Sequence, residues 1–141
     1  MPQTRLVKIR HLSSYTDARG GLIKVLMRQH LPARARQFGE IYISWAAPGA
    51  IKANHYHEHT TEWFFLLRGR ALLVVEDPNT GARETVRLDE ATPLVVTVPP
   101  GIAHALVNDG DEPAHLLAYA DRPYDPENPD TIPYEVVQHR S

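Results

Sequence analysis

Apolar residues along this chain occur in short runs that are rich in β-branched and aromatic side chains and are bounded by Gly, Pro, Asn or Asp. This pattern is typical of β-strands, because an amphipathic helix needs its apolar residues to recur every three to four positions over a longer stretch. Residues 30–37 are compatible with one helical turn. The pattern predicts about ten strands, at residues 6–11, 22–26, 40–45, 51–57, 62–67, 70–76, 83–88, 94–98, 104–108 and 115–120.

The segments between the predicted strands favour reversal of the chain, as at Gly20-Gly21 and Pro99-Pro100-Gly101. Many short strands separated by such turns predict an all-β barrel or sandwich. Segment 121–133 contains four prolines, at positions 123, 126, 129 and 133. Since proline cannot donate a backbone hydrogen bond, we expect this C-terminal arm to be extended rather than to form a strand, and to lie near the barrel mouth.

Size and composition limit the kind of protein that this chain can be. Its 141 residues fit a single domain, 1–141. A formal net charge of -2, without a stripe of basic residues, argues against a nucleic-acid partner. The sequence has no cysteine, so a metal would have to bind nitrogen and oxygen ligands. Since no stretch has the pattern of a membrane span or a signal peptide, we expect no membrane association and a cytoplasmic location.

The segment from Gly49 to Gly69 holds the residues with the clearest chemistry. His55 and His57 point to one face of a strand, because side chains alternate with a period of two, so their rings can bind one ion. Glu62 follows after enough residues for a turn and offers a carboxylate oxygen from the next strand. His104 begins a later strand that a barrel can bring beside this pair. Three nitrogens and one carboxylate suit several divalent transition metals.

These residues resemble the cupin superfamily, whose first motif is G-x5-H-x-H-x3-4-E-x6-G and whose second is G-x5-P-x-G-x2-H-x3-N. The matching residues are Gly49, His55, His57, Glu62 and Gly69 in the first motif, and Pro99, Gly101, His104 and Asn108 in the second. The leading glycine of the second motif is Pro93 here, which alters a turn rather than a ligand. The resemblance implies a double-stranded β-helix (jelly-roll) barrel of two antiparallel sheets. It also implies one divalent metal, zinc first, with iron, manganese or nickel as alternatives, on His55, His57, Glu62 and His104.

Further segments are similar to dTDP-4-dehydrorhamnose 3,5-epimerases. Residues 17–22 resemble the D-x-R-G-x-F opening of that family, with Leu22 in place of Phe. Residues 52–56 resemble its R-G-L-H-Y segment, and residues 119–126 its Y-x4-Y-x-P stretch. The match is closer to the cupin domain of bifunctional capsular polysaccharide enzymes that act on UDP-linked 4-keto sugars, whose final D-P-x-x-P-D-T stretch is reproduced at 125–131. This resemblance implies an epimerase or isomerase of a nucleotide-linked 4-keto-6-deoxy sugar in polysaccharide biosynthesis.

The implied reaction removes a proton next to the C4 ketone and returns one to the opposite face, through an enolate. On this resemblance His55 would be the base, and either Tyr119 or Tyr124 the acid. Lys52 and Arg19 would hold the diphosphate or the developing oxyanion, because each carries a permanent positive charge on a long side chain.

The two roles of His55 conflict. A histidine that gives one ring nitrogen to a metal and the other to a hydrogen bond has no lone pair left to accept a proton. Either His57, Glu62 and His104 hold the ion while His55 stays free, or all four bind and the base lies elsewhere. The rhamnose-pathway epimerases need no metal and have a lysine ten residues after the base, where this chain has Phe65; a metal could replace that lysine as the electrophile.

Two other functions are compatible with the same residues. An iron-dependent cupin dioxygenase would use three histidines and one glutamate around an open coordination position, and a non-catalytic cupin would bind a small molecule in the same barrel. Segments 17–20 and 125–131 favour the nucleotide-sugar hypothesis, since neither alternative requires them. We expect a homodimer by analogy with small cupins, whose N-terminal strands add to a partner's sheet, as residues 6–11 could do.

Overall fold

The computed structural model of the protein describes residues 5–33 and 37–138. These residues form two five-stranded antiparallel sheets and one two-stranded hairpin. The strands in chain order are β1 (Lys8–His11), β2 (Ser14–Asp17), β3 (Gly20–Ile23), β4 (Glu40–Ala46), β5 (Ile51–His57), β6 (Glu62–Arg68), β7 (Arg70–Glu76), β8 (Arg83–Asp89), β9 (Leu94–Val98), β10 (Ala103–Val107), β11 (Ala114–Ala120) and β12 (Thr131–Pro133). One sheet has the order β1-β9-β6-β11-β4, the other β12-β5-β10-β7-β8, and β2 pairs with β3 alone.

The main core lies between the two large sheets and contains residues from both. Phe64 of β6 packs there with Leu73 of β7 and other aliphatic side chains, whereas Trp63 and Phe65 belong to a second cluster on the outer side of the first sheet. This is the alternation expected of a strand, because neighbouring side chains point to opposite faces. The prediction of an all-β fold with two antiparallel sheets is therefore confirmed.

The N-terminal region differs from the sequence prediction in three places. The strand predicted at 22–26 is β3, Gly20–Ile23, and it pairs with β2, which was missed because Ser14–Asp17 is exposed throughout and shows no apolar pattern. The predicted helical turn at 30–37 includes residues 34–36, which lie outside the described residues; a single 3-10 turn precedes it at Arg28–His30. The arm at 6–11 supplies β1, which pairs with β9 of its own chain.

The C-terminal arm was predicted to contain no strand, and this is wrong at its end. β12, Thr131–Pro133, pairs antiparallel with β5. It is an edge strand, which is where a sheet tolerates proline, because one side of the strand needs no hydrogen bond. The preceding residues 122–129 form no strand and are exposed, as expected. Among the described residues, no helix is long and apolar enough to cross a membrane.

Candidate metal centre and adjoining pocket

The strand that carries two of the predicted ligands contains a bulge just before them. Ala53 and Asn54 adopt left-handed backbone angles, with φ of 71° and 57°, and the pairing of β5 with β10 shifts register there. Asparagine tolerates this conformation better than most residues. The Oδ1 atom of Asn54 also accepts hydrogen bonds from the backbone of Val136 at 2.9 Å and Val137 at 3.0 Å. A bulge re-aims the side chains that follow it, and here it sets His55 directly opposite His104 of β10.

The turn before β10 is tied to β5. Gly101 has a φ of +86°, a conformation that favours glycine, and its N–H donates to the carbonyl oxygen of His57 at 2.7 Å. The Pro-Pro-Gly sequence therefore places the start of β10, and with it His104, against the end of β5.

Four side chains from three strands converge between the sheets. One donor atom each of His55, His57, Glu62 and His104 lies within 4.8 Å of the others. Glu62 Oε1 is 2.8 Å from His57 Nε2 and 3.6 Å from His104 Nε2. Although 2.8 Å is a hydrogen-bond distance, the two groups are not aligned for one, and both buried atoms lack a hydrogen-bond partner. Buried polar atoms rarely lack a hydrogen-bond partner. Nitrogen and carboxylate donors that converge on one point fit a divalent transition metal.

Two of the three histidines are oriented from behind by backbone carbonyls. Asp130 O lies 3.3 Å from His57 Nδ1, and Ile102 O lies 3.4 Å from His104 Nδ1. Metal-binding histidines commonly donate their second ring N–H in this way, which leaves a lone pair on the other nitrogen for the ion. Within residues 5–33 and 37–138, the structure gives His55 no such backbone contact.

The electrostatics of the cluster favour an ionised Glu62 and neutral His55 and His104, whereas the neighbouring carboxylate favours the charged form of His57. Burial lowers the pKa of His104 to about 4, and burial together with the neighbouring His57 lowers the pKa of His55. Burial alone would raise the pKa of Glu62, but His57, His104 and the hydroxyl of Tyr42 outweigh it and lower the pKa. Burial likewise disfavours a charged His57, yet the adjacent Glu62 raises the pKa of His57. An ionised carboxylate and neutral imidazoles are the forms that bind metals.

The cluster opens into a pocket of about 620 Å³. Its inner part is formed by Tyr42, His55, His57 and Glu62, while the arm after β11 forms one wall. The residues of that wall are Ala120, Arg122, Pro123, Tyr124, Asp125, Asn128, Pro129, Asp130 and Thr131. A small molecule entering here meets His55, His57 and Glu62 together, while His104 lies buried behind them.

Comparison with known proteins identifies the family. Residues 15–132 match the family model of the polysaccharide biosynthesis C-terminal domain. The chain belongs to this family. Agl13 of Haloferax volcanii, a probable low-salt glycan biosynthesis epimerase, is 31% identical over an alignment of 143 positions that covers 96% of this chain and 91% of the relative. SpsL of Bacillus subtilis, a spore coat polysaccharide biosynthesis protein, is 29% identical over 136 residues that cover 92% of this chain and 89% of the relative.

Solved structures agree with this assignment. The capsular polysaccharide assembling protein CapF of Staphylococcus aureus superposes with a TM-score of 0.69 at 25% identity, over 89% of this chain but only 34% of CapF. The chain therefore spans about a third of that protein. A dTDP sugar isomerase of Desulfovibrio desulfuricans G20 has a TM-score of 0.79 at 22% identity, over 92% of this chain and 84% of the isomerase, which shows the shared fold. The expected cupin barrel and the resemblance to capsular polysaccharide enzymes are confirmed, and the chain belongs to a polysaccharide biosynthesis family with a relative named as a probable epimerase.

The structure separates the two tyrosines that the family resemblance offered as the acid. Tyr124 lines the pocket and is 63% exposed. Tyr119 is only 8% exposed and packs with Trp63 on the outer face of the first sheet, where its hydroxyl accepts a hydrogen bond from Gly39 N at 3.0 Å. Tyr119 therefore cannot act in this pocket, because it points to the other side of its sheet.

Neither predicted phosphate-binding residue lines the pocket. Lys52 precedes the bulge in β5, and its ammonium donates to Ser44 Oγ at 2.6 Å and Trp45 O at 3.1 Å on β4. Arg19 lies at the exposed end of the β2–β3 hairpin, where it pairs with Asp17 at 2.7 Å. In the single chain neither cation faces the cluster, and the assignment of Lys52 and Arg19 to the diphosphate or the oxyanion stays a prediction.

Sequence reasoning missed four residues that the structure places at the site. Among the described residues, Arg122 is the only arginine or lysine that lines the pocket. The hydroxyl of Tyr42 donates a hydrogen bond to Glu62. Asn54 accepts hydrogen bonds from the backbone after β12, and Asp130 accepts one from the turn between β5 and β6. Three of the four lie inside the stretches that resemble known families, at 52–56, 119–126 and 125–131, but the resemblance assigns these three residues no role. No sequence pattern points to Tyr42, because its contact with Glu62 depends on how β4 and β6 are placed in the sheet.

Proposed function

We propose that this protein epimerises or isomerises a nucleotide-linked 4-keto-6-deoxy sugar by moving a proton next to the C4 ketone. The observation that supports this most directly is that His55 and Tyr124 line one pocket beside the candidate metal centre. A proton transfer of this kind needs a base and an acid that can reach the same carbon. The family and the relatives described above favour a sugar nucleotide as the substrate.

His57, Glu62 and His104 hold the ion in this proposal. Each histidine of this set has its Nδ1 turned to a backbone carbonyl, and the buried carboxylate has an unpartnered oxygen between them. Zinc suits this donor set, with iron, manganese or nickel as alternatives. When bound, the ion supplies a positive charge that stabilises an enolate oxygen.

His55 is the base. Because burial and its neighbour lower its pKa, its imidazole is neutral at pH 7 and retains a lone pair that can accept the C3 proton. Tyr124 donates a proton from the arm on another side of the pocket. Arg122 takes the part first assigned to Lys52 and Arg19, since a guanidinium in the pocket lining is suited to a diphosphate.

We further propose that the protein acts as a cytoplasmic homodimer. Ile41, Ile43 and Trp45 are 57%, 52% and 62% exposed and alternate along β4, an edge strand. Large apolar side chains aligned on one exposed face are typical of protein interfaces. Light scattering of the purified protein tests the assembly, with Ile43→Lys as the disrupting variant and Thr85→Lys, at an exposed position on the edge strand of the other sheet, as the matched variant.

Proton exchange tests the reaction. Metal-loaded protein is incubated in D₂O with UDP- or dTDP-4-keto-6-deoxyglucose, and the C3 proton is followed by NMR. Loss of the C3 signal at a rate that depends on protein concentration supports the proposal. Absence of exchange with both nucleotides overturns it, and iron in the purified protein together with O₂ consumption would instead identify a dioxygenase.

A further inference from the structure

The arm that forms one wall of the pocket is fastened at both ends to the turn joining β5 to β6. At its start, Asp121 N donates to Thr61 O at 3.1 Å, and Thr61 N donates to Asp121 Oδ1 at 3.0 Å. At its end, Asp130 bonds the same turn. The intervening residues 122–129 are exposed. The position of this wall therefore depends on one aspartate at each end.

Three hydrogen bonds hold the carboxylate of Asp130 in place, although the residue is partly exposed. Its Oδ1 accepts a hydrogen bond from Glu58 N at 3.0 Å, and its Oδ2 accepts bonds from His59 N at 2.9 Å and Thr60 Oγ1 at 2.7 Å. Hydrogen bonds to an ionised carboxylate are about twice as strong as bonds between neutral groups. Thr60 is only 7% exposed, so water competes little for the shortest of the three.

The backbone of the same residue reaches a predicted metal ligand. Asp130 O lies 3.3 Å from His57 Nδ1, and the next residue, Thr131, lies opposite His57 in the pairing of β12 with β5. Thr131 Oγ1 is also 3.4 Å from the same ring nitrogen. When Nδ1 carries the proton and donates it to a carbonyl, Nε2 keeps its lone pair, and here Nε2 is the atom beside Glu62.

We infer that Asp130 is a positioning residue for His57. Its carboxylate fixes the turn at 58–60, and this holds its own carbonyl where it orients the His57 ring with Nε2 toward Glu62. The inference rests on the proposed function in so far as Nε2 is a ligand of the ion. An aspartate that only stabilised the turn would leave the His57 ring and the metal affinity unchanged when it was replaced.

The test uses the full chain with Asp130→Ala, which removes all three bonds of the carboxylate, and Asp130→Asn, which keeps an acceptor oxygen. Glu127→Ala is the matched control, because it removes a carboxylate from the same arm without lining the pocket. Two quantities are measured: the zinc dissociation constant by competition with a chelator, and the ¹⁵N spectrum of the His57 ring in metal-free protein at alkaline pH. His57→Gln assigns the ring signals.

We expect Asp130→Ala to weaken zinc binding about 10–100-fold, the usual effect of losing a partner behind a metal ligand. In the metal-free protein the fraction of the His57 ring in the Nδ1–H form should fall, because the carbonyl of residue 130 no longer competes with Glu62 for the ring proton. Asp130→Asn should give values between those of the wild type and Asp130→Ala, because its amide oxygen can replace only one of the two accepting carboxylate oxygens. Glu127→Ala should leave both properties unchanged. If Asp130→Ala does not fold, Thr60→Val removes the shortest bond alone and should shift both quantities in the same direction.

Wild-type zinc affinity and an unchanged His57 spectrum in Asp130→Ala would overturn the inference. The ring spectrum separates this failure from failure of the proposed metal centre, because it is recorded without metal. If the wild-type protein binds no zinc, a changed tautomer ratio in Asp130→Ala still supports the positioning role, and an unchanged ratio overturns it.

Discussion

His57 Nε2 and Glu62 Oε1 lie 2.8 Å apart, both buried, and neither has a hydrogen-bond partner. The two atoms lie in ion-pair contact but without the alignment of a hydrogen bond, which is an unfavourable arrangement for buried polar atoms. A cation between them would bind both atoms and also engage His104, whose Nε2 is 3.6 Å from the same oxygen. The metal centre is therefore the simplest explanation of this arrangement.

Glu62→Gln should abolish tight metal binding. The amide keeps the size of the side chain but loses the charge, and loss of a partner behind a ligand already costs about 10–100-fold, so we expect at least about 100-fold weaker zinc binding by isothermal calorimetry. Glu112→Gln, on an exposed turn, is the matched control. Equal affinity of the two variants would show that the carboxylate of Glu62 is not a ligand.

Removal of the ion should lower the thermal stability of the protein. A ligand that binds only the folded state stabilises it by about 2.7 kcal/mol when its free concentration is 100 times the dissociation constant. We expect the melting temperature to fall after dialysis against a chelator and to rise again in proportion to the logarithm of added zinc. A melting temperature that is independent of zinc would contradict metal binding to the native state.

Tyrosine substitutions should separate chemistry from stability. Tyr124→Phe should lower kcat by at least about 100-fold, the usual contribution of a general acid, with little change in stability because the side chain is 63% exposed. Tyr119→Phe should keep kcat and lose about 1 kcal/mol of stability, since it removes the acceptor of the Gly39 N–H. The reverse outcome in steady-state kinetics and urea unfolding would exchange the two assignments.

Asn108 should be a major contributor to stability. It is fully buried, and its Nδ2 donates to Ala46 O at 2.9 Å and Glu112 O at 2.8 Å, while Gly110 N donates to its Oδ1 at 2.9 Å. Asn108→Ala leaves these backbone groups without partners and should cost about 2–4 kcal/mol in urea unfolding. Asn79→Ala, in an exposed turn, should change stability by less than about 0.5 kcal/mol. Similar losses of stability in Asn108→Ala and Asn79→Ala would contradict a major contribution of Asn108 to stability.

The ligand cluster could be predicted because it depends on local rules. Alternation along one strand places His55 and His57 on a common face, and a short turn leads to Glu62 on the next strand. The Pro-Pro-Gly turn likewise predicted where a strand would begin near His104. The structure brings these four side chains together, whereas the binding of an ion and its identity stay predictions.

The residues around the cluster depend on pairings that no local pattern reveals. Tyr119 lies opposite Trp63 in the pairing of β11 with β6, and this register, not the spacing to Tyr124, decides which face it occupies. The bulge at Ala53 and Asn54 separates Lys52 from the pocket, and nothing in an ordinary strand pattern signals it. Strand β2 was missed for another reason, since it buries no side chain and leaves no apolar trace.

The central claim is that His55 moves the proton while His57, Glu62 and His104 hold the ion. His55→Gln tests it most directly when metal content and solvent exchange at C3 of the 4-keto sugar are measured on the same preparation. The account predicts a variant that retains one metal ion per chain, with wild-type affinity within about threefold, and loses C3 exchange by at least about 100-fold. Loss of the ion from the variant, or C3 exchange at the wild-type rate, would contradict it.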